Sequence, residues 1–304
     1  MSVLSVLLAI LSIMVPSFPS GVSAPYLSNA GVRADRALVA EAYEPKPPAK
    51  RDVASLGPRL TAASAIVVDA ASGAVLFQKN PRERRPMASI AKLAAALVVL
   101  DGAPNLETLF TMEAQDDREG GEEFIRPGES AKLRDFLVAS LLGSANNATI
   151  SLSRSVEPDA GAFVARMNRK AASLGMAETT FTEPSGLSAE NTSTAWDIAK
   201  LLAAAGESEV IRESMGTHRA TITVHPAGER RTVLTTNHLM GGIVLVAYGK
   251  TGHLEESGYN LATAVSTREG RTLYIVTLGS ETNEDRIQDA KNLAVWAGNT
   301  YAWE

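Results

Sequence analysis

Two β-rich apolar runs, "SAIVV" and "AVLFQ", flank Ser72-Gly73 within residues 64–80 and predict a hairpin. A third run, Thr272–Ser280 ("TLYIVTLGS"), predicts a strand that pairs with residues 259–267 ("YNLATAVST") across a turn at Glu269-Gly270. A shorter β-like run covers 243–248, with Lys250-Thr251-Gly252 at its end. The middle of the chain is patterned at helical spacing. Residues 133–156 place Leu133, Phe136, Leu137, Leu141 and Leu142 on one side of a helical stretch, interrupted by the polar Ser144-Ala145-Asn146-Asn147. Residues 193–206 open with an N-cap signal and end at a glycine, and after Thr282 or Asn283 the residues Ile287, Ala290, Ala294, Ala297 and Tyr301 recur at helical spacing. Strands first, helices in the middle, then strands and a closing helix predict an α/β (α+β) body, a mainly antiparallel sheet covered by helices.

The chain has 304 residues, 45% hydrophobic and 21% charged, which suits one large domain or two small ones. Its net charge of −5 carries no basic face, so nucleic acid is not an expected partner. It has no cysteine, which excludes a disulfide framework and thiolate chemistry. An apolar run over 3–15, broken by Pro16, is shorter than the roughly 20 residues a membrane span needs. With Val22-Ser23-Ala24 behind it, it reads as a signal peptide over 1–24, and export is expected. Residues 25–60, rich in proline and charge, read as a flexible linker, which leaves 61–304 as the folded domain. His218, His225, His238 and His253 lack metal-ligand spacing, so no metal is expected. Residues 116–123 ("DDREGGEE") read as a solvated loop, and the two glycosylation-like triplets at Asn147 and Asn191 read as chance.

The chemistry concentrates in three short stretches. In "RPMASIAKLAAALVVLDG" the polar run ends at Pro86, and Leu93, Leu97 and Leu100 then follow at helical spacing. Ser89 therefore falls at or near a helix N-terminus, where N–H groups and the dipole favour a developing anion. Lys92 lies three residues on, on the same face, and a neutral amine there could take the serine proton. Ser144 and Asn146 put polar side chains inside an apolar helical region, where they need partners or a function. Lys250 and Thr251 suit recognition of a carboxylate, and Gly252 lets a ligand approach the strand backbone closely. Taken alone, each stretch also reads blandly, as a helix start, a polar kink and a strand end.

In this order, Ser-x-x-Lys, Ser-x-Asn and Lys-Thr-Gly form the motif set of penicillin-binding proteins and class A β-lactamases. The chain resembles the low-molecular-mass penicillin-binding proteins, the serine D-alanyl-D-alanine carboxypeptidase/endopeptidase family. The likeness extends to "IRPGESAKLRDFLVASLLGSANNA", "FTEPSGLSAENTSTAWDIAKLL" and "TNHL". It implies an antiparallel sheet flanked by helices plus an all-helical lobe, as in the penicillin-binding-protein/β-lactamase fold, with the active site between them. Carried over by motif, Ser89 is the acylated nucleophile, Lys92 its base and Ser144 the hydroxyl that relays a proton to the leaving amine. Asn146 binds the substrate amide, Lys250 and Thr251 the terminal carboxylate, and the N–H groups of Ser89 and of His253, which follows Gly252, form the oxyanion hole. Position 91 is Ala where the family often has Thr, and 145 is Ala where Gly is common; neither supplies a catalytic group.

The implied activity is hydrolysis of peptidoglycan stem peptides in the periplasmic or extracellular cell-wall space, with β-lactams as acylating inhibitors and no cofactor. No C-terminal membrane anchor is seen before the chain stops at Glu304. Alternatives are an endopeptidase cleaving crosslinks, toward which "FTEPSGL" and "TNHL" lean, and a β-lactamase, for which Glu183 is the only tempting water-activating residue. A non-catalytic penicillin- or peptidoglycan-binding protein is the third.

Overall fold

The predicted hairpin and the three later apolar runs meet in one sheet. A computed structural model describes residues 45–304 apart from Asp52 and Glu119. The expected signal peptide and the first part of the expected linker lie outside the described residues. Strands β1 (Ser64–Asp69) and β2 (Val75–Lys79) pair as the hairpin. They are joined by β3 (Leu245–Leu254), β4 (Gly258–Ser266) and β5 (Thr272–Ser280). The order is β3-β4-β5-β1-β2, every neighbouring pair antiparallel. The β5–β1 pairing, with Val276 opposite Ile66, ties the end of the domain to its beginning.

The helices are α1 (Lys92–Asp101), α2 (Leu133–Leu141), α3 (Asn146–Val156), α4 (Ala160–Ser173), α5 (Ala195–Glu207), α6 (Glu209–Met215) and α7 (Asn283–Thr300). Side chains alternate across a strand, so one strand feeds two cores. Ile66, Val276 and Leu278 join the large core with Leu93, Phe136, Leu137 and Leu201, on the side of α1, α2 and α5. Ala65, Val67, Leu273 and Ile275 join a second core with Ala290, Leu293 and Ala297 of α7. Burial on both faces is why these strands read as nearly continuous apolar runs. α1 to α4 make the helical lobe. Among the described residues no helix is long and apolar enough to cross a membrane.

Three sequence expectations shift. The stretch 133–156 is two helices: α2 stops at Leu141, Ser144 takes a left-handed φ of 62°, and α3 restarts at Asn146. Lys250-Thr251-Gly252 lies inside β3 rather than at the end of a short run, because Ala262, Leu261 and Asn260 of β4 supply its pairing partners. Part of the expected linker is held: Ala49–Lys50 pair antiparallel with Tyr301–Ala302, and Trp296 Nε1 donates to Ser55 Oγ at 2.7 Å. That pairing runs through backbone groups, so a Pro- and charge-rich sequence does not announce it.

Asp289 of α7 fastens the helix to the sheet. Its buried carboxylate accepts from Thr61 N (3.1 Å), Thr61 Oγ1 (2.9 Å), Ala62 N (2.8 Å) and Ser280 Oγ (3.0 Å). Asp289→Ala leaves these donors unpaired, and urea unfolding should read a loss of about 2–4 kcal/mol; a loss under about 0.5 kcal/mol would show that the anchor is dispensable.

Candidate active site

Ser89 sits in a 3₁₀ turn, Ala88–Ala91, that runs straight into α1. It caps neither helix, so the bland reading of an N-cap serine does not hold. Lys92, the first residue of α1, is wholly buried. Its Nζ lies 2.9 Å from Ser89 Oγ and 2.7 Å from Asn146 Oδ1, and it also meets Ser185 O. The amide orientation of Asn146 is set by its other end, where Nδ2 donates to Gly120 O at 2.7 Å. Burial brings the Lys92 amine down from 10.5 to about 7, with the Glu183 carboxylate working in the opposite sense. A neutral amine has two N–H donors and one lone pair. Two of the three partners, the Asn146 and Ser185 carbonyl oxygens, can only accept. The lone pair is therefore left facing the Ser89 hydroxyl.

A second lysine stands beside the first. Lys250 of β3, also fully buried, donates from Nζ to Ser144 Oγ (2.8 Å) and to Thr251 O (3.1 Å). Burial holds its pKa well below the ordinary value, and the charges of Lys92 and Arg286 push the same way. Ser144 reaches this lysine because the α2–α3 corner turns it inward. Thr251 Oγ1 lies 2.6 Å from Thr236 Oγ1. Gly252, which lines the cleft, also has a packing reason to be a glycine. A Cβ there would stand 2.8 Å from Met87 O and 3.1 Å from Ser89 N, so β3 packs directly on the serine turn. The His253 side chain is exposed and stacks on Tyr259, centroids 4.0 Å apart.

All eight residues singled out from the sequence converge on one cleft: Ser89, Ser144, Asn146, Thr251, Gly252 and His253 line it, with Lys92 and Lys250 beneath. Sequence reasoning missed three contributors. Arg286 of α7 lines the same cleft, nearly buried, with Nη1 donating to Gly252 O at 3.1 Å, and burial lowers its pKa to about 10. An arginine on the inward face of an amphipathic helix was its one signal. Thr236 was quoted only within "TNHL". Ser185 contributes a backbone carbonyl, which no sequence motif displays. Of the loop 116–123, Gly120 and Gly121 do border the cleft, but Asp116 is not solvated: it is buried and paired with Arg154 Nη2 at 2.7 Å. Asn147 and Asn191 are buried, which agrees with reading their triplets as chance.

A buried lysine amine 2.9 Å from a turn-borne serine, between an antiparallel sheet and a helical lobe, is an arrangement that fits a serine hydrolase. The chain belongs to the D-alanyl-D-alanine carboxypeptidase family, whose profile matches residues 51–282. It is 32% identical over 261 residues to a D-alanyl-D-alanine endopeptidase of Pseudomonas aeruginosa, covering 85% of this chain and 84% of that one. It is 26% identical over 246 residues to a D-alanyl-D-alanine carboxypeptidase of Bacillus subtilis, covering 79% and 63%. A solved D-alanyl-D-alanine carboxypeptidase of Mycobacterium tuberculosis superposes with a TM-score of 0.74 at 25% identity, over 84% of this chain and 99% of that one.

The close approach of the 182–191 loop to the serine turn gives a test. A Cβ on Gly186 (φ 84°) would fall 2.1 Å from Ala88 O and 2.8 Å from Ser89 N, whereas one on Gly73 (φ 70°) would meet nothing within 4 Å. Both alanine variants carry the left-handed strain, about 1 kcal/mol. Gly186→Ala must also move backbone, so its Tm should fall by about 5 °C or more beyond that of Gly73→Ala. Equal Tm values would refute the tight contact.

Proposed function

We propose that the protein is a serine D-alanyl-D-alanine carboxypeptidase that hydrolyses peptidoglycan stem peptides through an acyl-serine intermediate. The observation that carries this reading is the Lys92 amine 2.9 Å from Ser89 Oγ, with its other partners both pure acceptors. Ser89 attacks the carbonyl of the penultimate D-alanine while its proton passes to the Lys92 lone pair. The N–H groups of Ser89 and His253 receive the oxyanion, in the corner where Gly252 abuts the serine turn. When the tetrahedral adduct collapses, the amine of the departing D-alanine takes a proton from Ser144, whose hydroxyl the Lys250 amine holds at 2.8 Å, and the proton that Lys92 took from Ser89 replaces it, so that Ser144 is again a hydroxyl and Lys92 again a neutral amine. Water then releases the acyl group and restores Ser89.

The substrate's terminal carboxylate is placed near Thr251, with Lys250 and Arg286 as the cations of that end of the cleft. Thr236 fixes the hydroxyl rotor of Thr251 at 2.6 Å. Asn146, anchored at Gly120 O, faces the substrate amide. β-Lactams present a carboxylate beside a strained amide and acylate the same serine. Peptidoglycan lies outside the cytoplasm, so the protein works in the periplasmic or extracellular cell-wall space. A second reading, cleavage of crosslinks, is favoured by the name of the 32% identical relative. The two differ only in the amine that leaves. Mass spectrometry of products from purified muropeptides separates them: loss of one free D-alanine from pentapeptides marks the carboxypeptidase, and conversion of crosslinked dimers to monomers marks the endopeptidase. Neither product from folded protein would overturn both.

Two outcomes check the roles. Ser89→Ala should stay folded, since Ser89 caps no helix, and should lose covalent labelling by a fluorescent penicillin. Labelling that persists would remove Ser89 as nucleophile. Lys92 acts as a base only when neutral, and its amine gains a proton as pH falls through about 7. The acylation rate should therefore drop about ten-fold per pH unit below that value and level off above it. A rate flat from about pH 5 to 9 would exclude a lysine base titrating in this window.

A further inference from the structure

The loop 182–191 takes no chemical part in the reaction above, yet its Ser185 carbonyl holds the Lys92 amine. Glu183 is the hub of that loop. Its carboxylate accepts from Ser185 N (2.7 Å), Ser185 Oγ (2.6 Å), Gly186 N (2.5 Å) and Asn191 Nδ2 (2.7 Å). Asn191, fully buried, closes the loop by accepting from Thr182 N at 2.6 Å, and its carbonyl accepts from Met87 N (2.9 Å) at the head of the serine turn. Gly186 lies against Ala88 and Ser89. One carboxylate thus sets both the carbonyl that grips the lysine and the backbone that abuts the serine.

We propose that Glu183 is a positioning residue for acylation: it folds the 182–191 loop so that Ser185 and Gly186 clamp the Lys92 amine against Ser89. The proposal rests on reading Lys92 as the base. It assigns Glu183 a role opposite to that of a water-activating glutamate. Glu183 lines a separate groove with Arg118, Ile150 and Val164 and is not among the residues lining the cleft, and its carboxylate oxygens are engaged within the loop. Its charge adds a second effect. The charged groups about the Lys92 amine are Lys250, with Arg286 behind it, and Glu183, and only Glu183 favours the ammonium. Glu183 therefore keeps Lys92 a stronger base than burial alone would leave it.

The test compares Glu183→Gln, which removes the charge, with Glu183→Asp, which keeps it at shorter reach. Two quantities are read: the titration midpoint of the Lys92 side chain by NMR of ¹³C-lysine-labelled protein, and the fluorescent-penicillin acylation rate at pH 9. Glu183→Gln should move the midpoint to lower pH by roughly half a unit or more. It should also slow acylation about ten-fold or more, because the clamp loosens. Glu183→Asp should leave the midpoint in place and slow acylation. An unmoved midpoint in Glu183→Gln overturns the proposal. So does acylation at the wild-type rate followed by a longer-lived acyl-enzyme, which would make Glu183 the activator of the deacylating water. The midpoint is read without any turnover, so it judges Glu183 even if Ser89 labelling fails in the wild type and the catalytic reading falls with it.

Discussion

The cleft depends on keeping one amine out of water. Lys92 is fully buried at the start of α1, and an ammonium there would carry a desolvation cost of several kcal/mol. The structure meets this constraint by surrounding the amine with neutral groups from separate parts of the chain: Ser89 from its own turn, Asn146 from the head of α3 and Ser185 from the 182–191 loop. No one of these segments could fix the amine alone. Their convergence requires the helical lobe, the serine turn and the loop to be assembled together, so the chemistry of the site and the tertiary packing are a single condition.

Close backbone approach is the second requirement, and it explains two glycines. At Gly252 the edge strand β3 presses on the serine turn, and at Gly186 the 182–191 loop presses on the same turn from another direction. Ala88, held between them, adopts a positive φ of 51° that alanine seldom takes. Strain of this kind persists only where surrounding structure over-determines it. Here the surroundings are a strand with pairing partners on β4 and a loop tied by Glu183 and Asn191. Ser89 is therefore presented by a firmly held, slightly strained turn.

The sheet was legible where burial makes a pattern. β1, β2, β4 and β5 announced themselves as apolar runs, and α7 by its period and its Thr282 cap, whose Oγ1 accepts from Asp285 N at 3.0 Å. The break between α2 and α3 was not legible, because Leu141 and Leu142 continue the apolar face up to the corner and serine does not advertise a left-handed φ. β3 was read short because Gly249, Lys250 and Gly252 have weak strand preference, and pairing with β4 overrides it. The candidate residues were found through the order of three motifs. That Lys92 would bind Asn146, and Lys250 Ser144, could not be read from spacings of 54 and 106 residues. Ser185 was invisible because it acts through a carbonyl, and Arg286 was passed over, despite its place on the inward face, because an arginine on a helix normally reads as solvated surface.

The two lysines show how one kind of side chain serves two tasks when its neighbours differ. Lys92 has only acceptors and one hydroxyl about it, with Glu183 as the nearest carboxylate influence, so its amine rests near 7 and exchanges a proton readily. Lys250 has the charges of Lys92 and Arg286 acting on it, and both disfavour its ammonium form. A substrate carboxylate would supply an opposing charge. Its arrival would favour the ammonium form of Lys250, strengthening the donor toward Ser144, while a charged Lys250 in turn disfavours protonation of Lys92 and leaves its lone pair available to Ser89. In the proposed reaction, binding of the terminal carboxylate therefore sets the protonation states of both lysines in the sense that acylation needs. A peptide lacking that carboxylate would leave Lys250 without its counter-charge, and the discrimination would be electrostatic before it was steric.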